Sequence, residues 1–267
     1  MAGDGLWIGA LGPLEVRFAG EPIAMGSGKQ RAVLGILFVH AGRVVSTDRL
    51  IDELWGVNGS AGRQNALWVH ISNLRKVLGS DPPVLVTRTP GYLLDAAQLS
   101  SDVVDFERLL AEGRALAETD PGAATVVVGE ALELWRGRPY EDFTYDAWAE
   151  PEIGRLNELR MDAVELRIDC ELRQGRAAEL IGELEALVRQ YPLRERLTGS
   201  LMLALPVRPA SRCPSGLPAS AGTSRRRTGR RPVLGHPAAR GPDRERRPGT
   251  PCSRSGRSQP GAVDSGL

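Results

Sequence analysis

The stretch AGRQNALWVHISNLRKVL, residues 61–78, predicts a helix with two chemically different faces. At about 100° per residue, one narrow stripe carries the apolar side chains Leu67, Ile71, Leu74 and Leu78. The opposite side carries amides, a hydroxyl and a cation, on Asn65, Val69, Ser72, Asn73 and Lys76. Such groups bond base edges and phosphates in a DNA major groove, although a solvated surface face has a similar composition. The neighbouring segments therefore decide between a DNA-reading helix and an ordinary surface helix.

Two more helices are predicted before this stretch, and a hairpin is predicted after it. Residues 29–41 and 47–55 have helical apolar patterns, and each is followed by a glycine that ends the helix. Thr47 supplies an oxygen that can cap the second helix. The residues from Val84 to Asp95 alternate apolar and polar on both sides of Thr89-Pro90-Gly91, which is a hairpin pattern.

The segment that precedes the first helix predicts a small sheet. Leu6 to Ala19 is predicted to form one or two short strands broken at Gly12-Pro13, and Ile23 to Met25 to add another. The order of strands, three helices and hairpin is that of a winged helix. In such a domain the third helix enters the major groove and the hairpin contacts the adjacent backbone.

Four segments resemble the output domain of OmpR-type regulators: LGPLEV (11–16), the run from KQRAVL to DELWG (29–56), NALWVHISNLRKVLG (65–79) and TRTPGYLL (87–94). With GKQRAVL near the start and RTPGYLL at the hairpin, the sequence is similar to the Streptomyces antibiotic regulatory protein family. The resemblance implies that residues 1–100 form an α+β winged helix-turn-helix domain. It also implies binding to direct repeats in double-stranded DNA upstream of a biosynthetic gene cluster.

Residues 101–205 predict helices alone. Amphipathic helices are expected to begin after Asp102 and at Pro121, and three more to cover residues 153–174, 176–190 and 193–205. Helices of this length, packed in pairs, would form an all-α tetratricopeptide-like stack. The segments LWRGRPYEDF (134–143) and AELIGELEALVRQYPLRERL (178–197) resemble the bacterial transcriptional activator domain of the same family. That resemblance implies roles in homodimerisation and in contacts with RNA polymerase.

Charge is distributed unevenly along the chain. The formal net charge of +1 arises from nine basic and eight acidic residues in 1–101, 12 and 22 in 102–205, and 13 and three in 206–267. The local charges are therefore +1, −10 and +10. The acidic middle suits contacts with protein better than contacts with DNA.

Residues 206–267 depart from the family pattern and are predicted to be disordered. They contain ten Pro, nine Gly, eight Ser and 13 Arg, with too little apolar area to offset the entropy of ordering. Because periodicity stops inside an expected helical repeat, we hypothesise that this tail is translated in a shifted reading frame. The alternative is a basic arm, SRRRTGRR (224–231), that adds nonspecific DNA affinity. A stack without its last helices would leave Leu201, Leu203 and Leu205 uncovered, which predicts lower stability or altered self-association.

The sequence predicts no enzyme, cofactor or metal site. Its three cysteines include no CxxC pair, and neither HExxH nor a Ser/His/Asp nucleophile motif is present. Gly26-Ser27-Gly28-Lys29 is not a phosphate-binding loop, because the full pattern fails at Ile23 and Gln30. No signal peptide or membrane-spanning run is found in the sequence, and a cytoplasmic location is expected.

The predicted DNA contacts follow from side-chain chemistry. Asparagine can bond adenine through two hydrogen bonds, valine can contact a thymine methyl group, and lysine suits guanine or phosphate. Arg75 lies at the edge of the apolar stripe, where an ion pair or a phosphate contact is expected, and Trp68 is predicted to pack in the core. The full set is Asn65, Val69, His70, Asn73, Arg75 and Lys76 in the helix, Arg88 in the hairpin, and Arg63 and Arg43 as weaker phosphate candidates.

Three functions remain open on the sequence. The leading one is a sequence-specific transcriptional activator dedicated to one secondary-metabolite (antibiotic) gene cluster. The second is a helical-repeat protein-interaction module whose winged helix packs against protein instead of DNA. The third is a truncated regulator that no longer functions.

Overall fold

Short strands precede and flank a series of helices in residues 5–56, 62–79 and 83–206, the part of the chain that the computed structural model describes. The strands are β1 (Leu6–Gly9), β2 (Glu15–Phe18), β3 (Glu21–Pro22), β4 (Val44–Ser46), β5 (Leu85–Arg88), β6 (Gly91–Leu94) and β7 (Leu99–Ser101). The helices of the first half are α1 (Gly28–Val39), α2 (Thr47–Trp55) and α3 (Arg63–Leu78). Those of the second half are α4 (Asp102–Leu116), α5 (Pro121–Glu133), α6 (Glu150–Arg173), α7 (Ala177–Gln190) and α8 (Glu195–Ala204).

The first half is a winged helix, as the sequence predicts. One sheet has the strand order β3-β2-β1-β7, with Ile8 opposite Val16 in the antiparallel pair and opposite Ser101 in the parallel pair. A second sheet has the order β4-β6-β5, and its β5–β6 hairpin is the wing. The wing lies so close to β4 that a side chain at Gly91 would collide with the carbonyl oxygen of Val45.

The sequence prediction was wrong in some local details of this half. Ile23 to Met25 is not a strand, and the third strand is formed by the two residues before it. The oxygen that caps α2 belongs to Ser46, which accepts from the Arg49 N–H, whereas the Thr47 hydroxyl donates to the carbonyl of Pro90 in the wing. Strands β4 and β7 were not predicted, because three residues are too few to show an alternating pattern.

The second half is all-helical. Helix α4 packs on α5, α5 on α6, and α7 on α8, while α6 also contacts α8. Ser101 and Asp120 cap α4 and α5 with their side chains, and Pro121 occupies the first turn of α5, where its missing N–H costs nothing. No helix within the described residues is long and apolar enough to cross a membrane.

The apolar stripe of α3 is buried as predicted. Leu67, Ile71, Leu74 and Leu78 are each at most 2% exposed. They belong to an apolar core that continues without a break into the helical half, where it includes Phe106, Trp135 and Tyr140. A separate core joins α6, α7 and α8.

Residues 10–14, between β1 and β2, connect the winged helix to the helical half. Asp102, at the start of α4, accepts the N–H groups of Ala10 (2.8 Å) and Leu11 (3.0 Å) and an N–H of the Arg136 guanidinium (2.9 Å). The backbone N–H of Arg136 donates to the Leu11 carbonyl, and that of Tyr140 donates to the Ala10 carbonyl. The polar backbone groups of this loop are therefore satisfied mainly by the second half of the chain.

An aromatic group in the segment that joins α5 to α6 adds to this contact. The Tyr140 ring lies 6.5 Å from Phe38 of α1 and 6.1 Å from Trp148. A Cβ atom at Gly35 of α1 would stand 2.6 Å from the Trp148 ring, so only glycine permits this approach. The segment that is irregular in sequence therefore packs directly against the winged helix.

The hypotheses about residues 206–267, the shifted reading frame and the basic arm, fall on residues that lie outside the described part except for Pro206. At the end of α8, Leu203 is 78% exposed and Leu205 is 44% exposed, whereas Leu201 packs against the α6–α8 core. Two of the three leucines predicted to be uncovered are therefore exposed in the structure.

Replacing Asp102 with asparagine should destabilise both halves together. Asparagine presents one NH₂ group to three donors and leaves Arg136 without its buried partner, which costs about 3 kcal/mol in comparable cases. Urea denaturation followed by circular dichroism measures the loss. Asp105→Asn, three residues along the same helix and exposed, is the matched control and should change the free energy of unfolding by less than about 0.5 kcal/mol. Equal stability of the two variants would contradict this role for Asp102.

Candidate nucleic-acid interface

The outward side of α3 presents side chains that have no partner within the described residues. Asn65 and Lys76 are exposed, Val69 is 49% exposed and Asn73 is half-buried. None of the three polar side chains makes a hydrogen bond or ion pair in the described part of the chain. Amide and ammonium groups that point to solvent without an internal partner are available to bind a ligand.

Two cationic side chains, one at the start of α3 and one at the start of α1, hold the end of α2 in place. The Arg63 guanidinium donates to the carbonyl of Trp55 at 2.8 Å, and the Lys29 ammonium donates to the carbonyl of Leu54 at 2.5 Å. These carbonyls belong to the last turn of α2, where the helix itself offers no N–H group to bond them. Arg63, predicted as a phosphate contact, is thus engaged inside the protein. Lys29 was not identified from the sequence, where it is one of only two lysines.

Arg75 connects α3 to the wing. Its Nε donates to the Leu85 carbonyl at 3.0 Å and its Nη2 to the Thr87 hydroxyl at 2.7 Å. Its guanidinium also lies 6.0 Å from the centre of the Tyr92 ring in β6. Within the described residues Arg75 makes no ion pair, and its planar guanidinium instead fixes the wing against the helix. The predicted phosphate contact stays a prediction.

His70 is half-buried against α2. Its ring stacks on Trp55 with the centroids 6.3 Å apart. Burial lowers the pKa of His70 below 6.5, and the nearby charge of Lys29 lowers it further. The imidazole is therefore mainly neutral at pH 7 and contributes little positive charge to the surface of α3.

The prediction that Trp68 packs in the core was wrong. Trp68 is 65% exposed and has no hydrogen-bond or ring partner within the described residues. It lies on the flank of α3, about 90° from the centre of the apolar stripe. Burial of a flank position depends on a second element that covers it, and at Trp68 no described element does so.

Two predicted arginines lie outside α3. Arg88 is exposed at the end of β5, and Arg43 is exposed just before β4. Neither side chain makes an ion pair within the described residues. His40, which precedes Arg43, ends α1: its backbone N–H donates to the Ile36 carbonyl, and the N–H of Ala41 donates to the Phe38 carbonyl.

The predicted residues thus fall into two groups. The first lies on the outward face of α3, on the wing and just before β4, and makes no hydrogen bond or ion pair through its side chains in the part of the chain that the structure describes: Asn65, Val69, Asn73, Lys76, Arg88 and Arg43. The second, Arg63, His70 and Arg75, is engaged in contacts that position α2, α3 and the wing. The α3 sequence contains no acid, so the outward face carries no charge that would repel phosphate. Within the described residues, no group of three His, Cys, Asp or Glu side chains could hold a metal ion.

Comparisons with known proteins match the same two halves. Residues 20–94 match the family described as transcriptional regulatory protein, C terminal, and residues 101–208 match the bacterial transcriptional activator domain. The chain is 36% identical over 208 residues to the regulatory protein DnrI of Streptomyces peucetius, covering 74% of this chain and 76% of DnrI. It is 38% identical over 204 residues to the regulatory protein AfsR of Streptomyces coelicolor, covering 75% of this chain but 20% of AfsR.

A solved structure has the same fold. Mycobacterium tuberculosis EmbR, in complex with a low-affinity phosphopeptide, aligns with a TM-score of 0.69 and 34% identity, covering 74% of this chain and 54% of EmbR. The fold and the outward face of α3 define a two-domain transcriptional regulator, with a winged helix followed by an all-helical domain. The chain belongs to the Streptomyces antibiotic regulatory protein family, in which an OmpR-type winged helix precedes a bacterial transcriptional activator domain.

Replacing Arg75 with lysine should loosen the wing while keeping the charge. Lysine cannot form the two hydrogen bonds to β5, and the loss of about 1.4 kcal/mol should speed amide hydrogen exchange in the β5–β6 hairpin about tenfold. Hydrogen exchange measured by mass spectrometry or NMR tests this. The control, Lys76→Ala, removes a charge one residue away and should leave exchange in the hairpin unchanged. Unchanged exchange in the Arg75→Lys variant would contradict the positioning role.

The lowered pKa of His70 makes stability depend on pH. In the unfolded chain His70 has its ordinary pKa of 6.5 and binds a proton more readily than in the folded protein. The contribution of His70 to the free energy of unfolding is therefore fully present above pH 6.5 and is lost as the pH falls towards the pKa of the folded state. Urea denaturation at intervals from about pH 7 to about pH 5 should show a smaller loss for His70→Asn than for the unmodified chain. An identical pH dependence in both proteins would contradict this assignment.

Proposed function

We propose that this protein activates transcription of a biosynthetic gene cluster by binding promoter direct repeats as a homodimer in the cytoplasm and contacting RNA polymerase through its helical domain. Double-stranded DNA is the partner expected for an OmpR-type winged helix. The observation that carries the proposal is the outward face of α3, where the side chains of Asn65, Asn73 and Lys76 have no hydrogen-bond or ion-pair partner among the described residues. The chain spans three quarters of DnrI but one fifth of AfsR, so the activity of either whole protein is transferred here only as a proposal.

The chemistry of the face supports base contacts in the major groove. Asn65 and Asn73 are eight residues apart, which places them on neighbouring sides of the helix and about 12 Å apart along its axis. Each amide can bond the N6 and N7 atoms of an adenine, and Val69, between them, can contact a thymine methyl group. Lys76 lies at the C-terminal end of α3, where its ammonium suits guanine or a phosphate.

Phosphate contacts come from outside the helix. Arg88 at the end of β5 and Arg43 just before β4 are exposed cations, and β4 and β5 flank β6 in the same three-stranded sheet. Cations that contact the backbone fix the position of the protein on DNA without reading sequence. Arg75 supports this arrangement indirectly, because it holds the wing strand that carries Arg88.

The helical domain suits protein partners. It carries a charge of −10 over residues 102–205 and is joined to the winged helix through Asp102 and the buried aromatic group around Trp148. A domain held in this way would be presented in a defined orientation once α3 is bound in the groove. A sister subunit and RNA polymerase are the partners we propose for it.

Replacing Lys76 with alanine should weaken binding to the promoter without unfolding the protein. The loss of one phosphate or guanine contact should reduce affinity about tenfold, and, if the contact is to phosphate, should lower the slope of log affinity against log salt by about one. Mobility shifts with promoter fragments at several salt concentrations measure both. Arg108→Ala, which removes an exposed cation from α4, is the matched control and should bind like the unmodified chain.

A second variant separates folding from binding. Ile71→Asp places an unpaired charge in the buried stripe of α3 and should unfold the winged helix, as judged by circular dichroism. If the folded, unmodified chain binds no promoter fragment in the presence of competitor DNA, the protein-interaction function replaces the proposed one.

A further inference from the structure

Trp68 is the exposed tryptophan of this protein. Of the five tryptophans, all of which the structure describes, the other four are buried or half-buried, whereas Trp68 is 65% exposed. Val69, the next residue, is 49% exposed, so two exposed apolar side chains stand in consecutive positions on a helix whose outward side is otherwise polar. A large apolar side chain kept in water is unfavourable unless a partner covers it in the functional state.

The position of Trp68 on α3 restricts what that partner can be. Trp68 precedes Arg75 by seven residues, which places both on the same flank of the helix and about 10 Å apart along its axis. Arg75 reaches the wing from this flank, so Trp68 stands on the wing side of α3, in its N-terminal half. In helix-turn-helix proteins the N-terminal part of the recognition helix contacts base edges.

We propose that Trp68 is a specificity-determining residue that packs its indole ring on the C5-methyl group of a thymine, next to the base contacted by Val69. This inference rests on the proposed function. The thymine methyl is the apolar group that base pairs present in the major groove, and it distinguishes thymine from cytosine at the same position. A rigid indole covers it at a small entropic cost and excludes water from the neighbouring hydrogen bonds.

Removal of an apolar contact and removal of a phosphate contact have different effects on how DNA affinity depends on salt. An indole carries no charge and releases no counterion, so its removal should lower affinity without changing the slope of log affinity against log salt. Removal of Lys76 as a phosphate contact should change that slope. The two side chains therefore have separable signatures in one assay.

The decisive experiment removes thymine methyl groups one at a time. Each thymine of a bound promoter fragment is replaced with deoxyuridine, which keeps every hydrogen-bonding group, and affinities are measured for the unmodified chain, Trp68→Ala and Trp68→Phe. We expect one of these replacements to lower the affinity of the unmodified chain about three- to tenfold, which is the size of effect expected for a buried methyl group. The same replacement should leave the affinity of Trp68→Ala unchanged, and it should lower the affinity of Trp68→Phe by a smaller factor. Val126→Ala, which trims an exposed apolar side chain of α5, should behave as the unmodified chain.

Fluorescence gives a second measurement that does not depend on affinity. Because Trp68 is the most exposed of the five indoles, acrylamide should quench it preferentially, and bound promoter DNA should protect it. The protection should be absent in Trp68→Phe.

The outcomes distinguish the inference from the function on which it rests. Specific binding by the unmodified chain, together with an unchanged deoxyuridine profile in Trp68→Ala, overturns the role of Trp68 and leaves the proposed function intact. A change in self-association of Trp68→Ala without a change in the profile assigns the indole to a protein contact and also overturns it. Failure of the unmodified chain to bind any fragment specifically overturns both.

Discussion

The buried carboxylate of Asp102 is the interaction on which the arrangement of both halves depends. Only 2% of the residue is exposed, so its charge must be compensated inside the protein. Two backbone N–H groups after β1 and the guanidinium of Arg136 supply three hydrogen bonds, and the start of α4 adds the favourable end of a helix dipole. One residue therefore fixes the exit of β1, the start of α4 and the segment after α5.

This arrangement extends to the recognition helix through the shared core. The stripe of α3 packs on α1, and Gly35 of α1 receives the indole of Trp148 from the helical half. Because no flexible linker separates β7 from α4, the outward face of α3 and the helical domain keep a fixed relation. DNA bound by that face would thus set the direction in which the helical domain meets its partners.

The long periodic elements could be predicted from the sequence, whereas the contacts of flank residues could not. The buried stripe of α3 follows from a period of 3.6 residues, but the contacts of its flank do not: Arg75 is bonded to the wing, whereas Trp68 on the same flank has no hydrogen-bond or ring partner within the described residues. The wing supplies hydrogen-bond acceptors to the flank at Arg75, and no described element covers the flank at Trp68. A helical projection contains no information about that second element. Arg63 was assigned to phosphate for the same reason, since the α2 carbonyl it binds is invisible in a linear pattern.

Some of the predicted cations are engaged inside the protein, and this affects how strongly it would bind DNA of any sequence. With Arg63 and Arg75 engaged inside the domain and His70 mainly neutral, Lys76, Arg88 and Arg43 remain as candidates for charge contacts within the described residues. These three cations by themselves would give weak nonspecific affinity, because that affinity rises with the number of neutralised phosphates, and the arginines of residues 207–267 lie outside the described part. Discrimination then has to come from the amide and apolar groups of α3. A single domain with this surface would bind modestly, and two domains on adjacent repeats, joined through their helical halves, would gain affinity from the high effective concentration of the second.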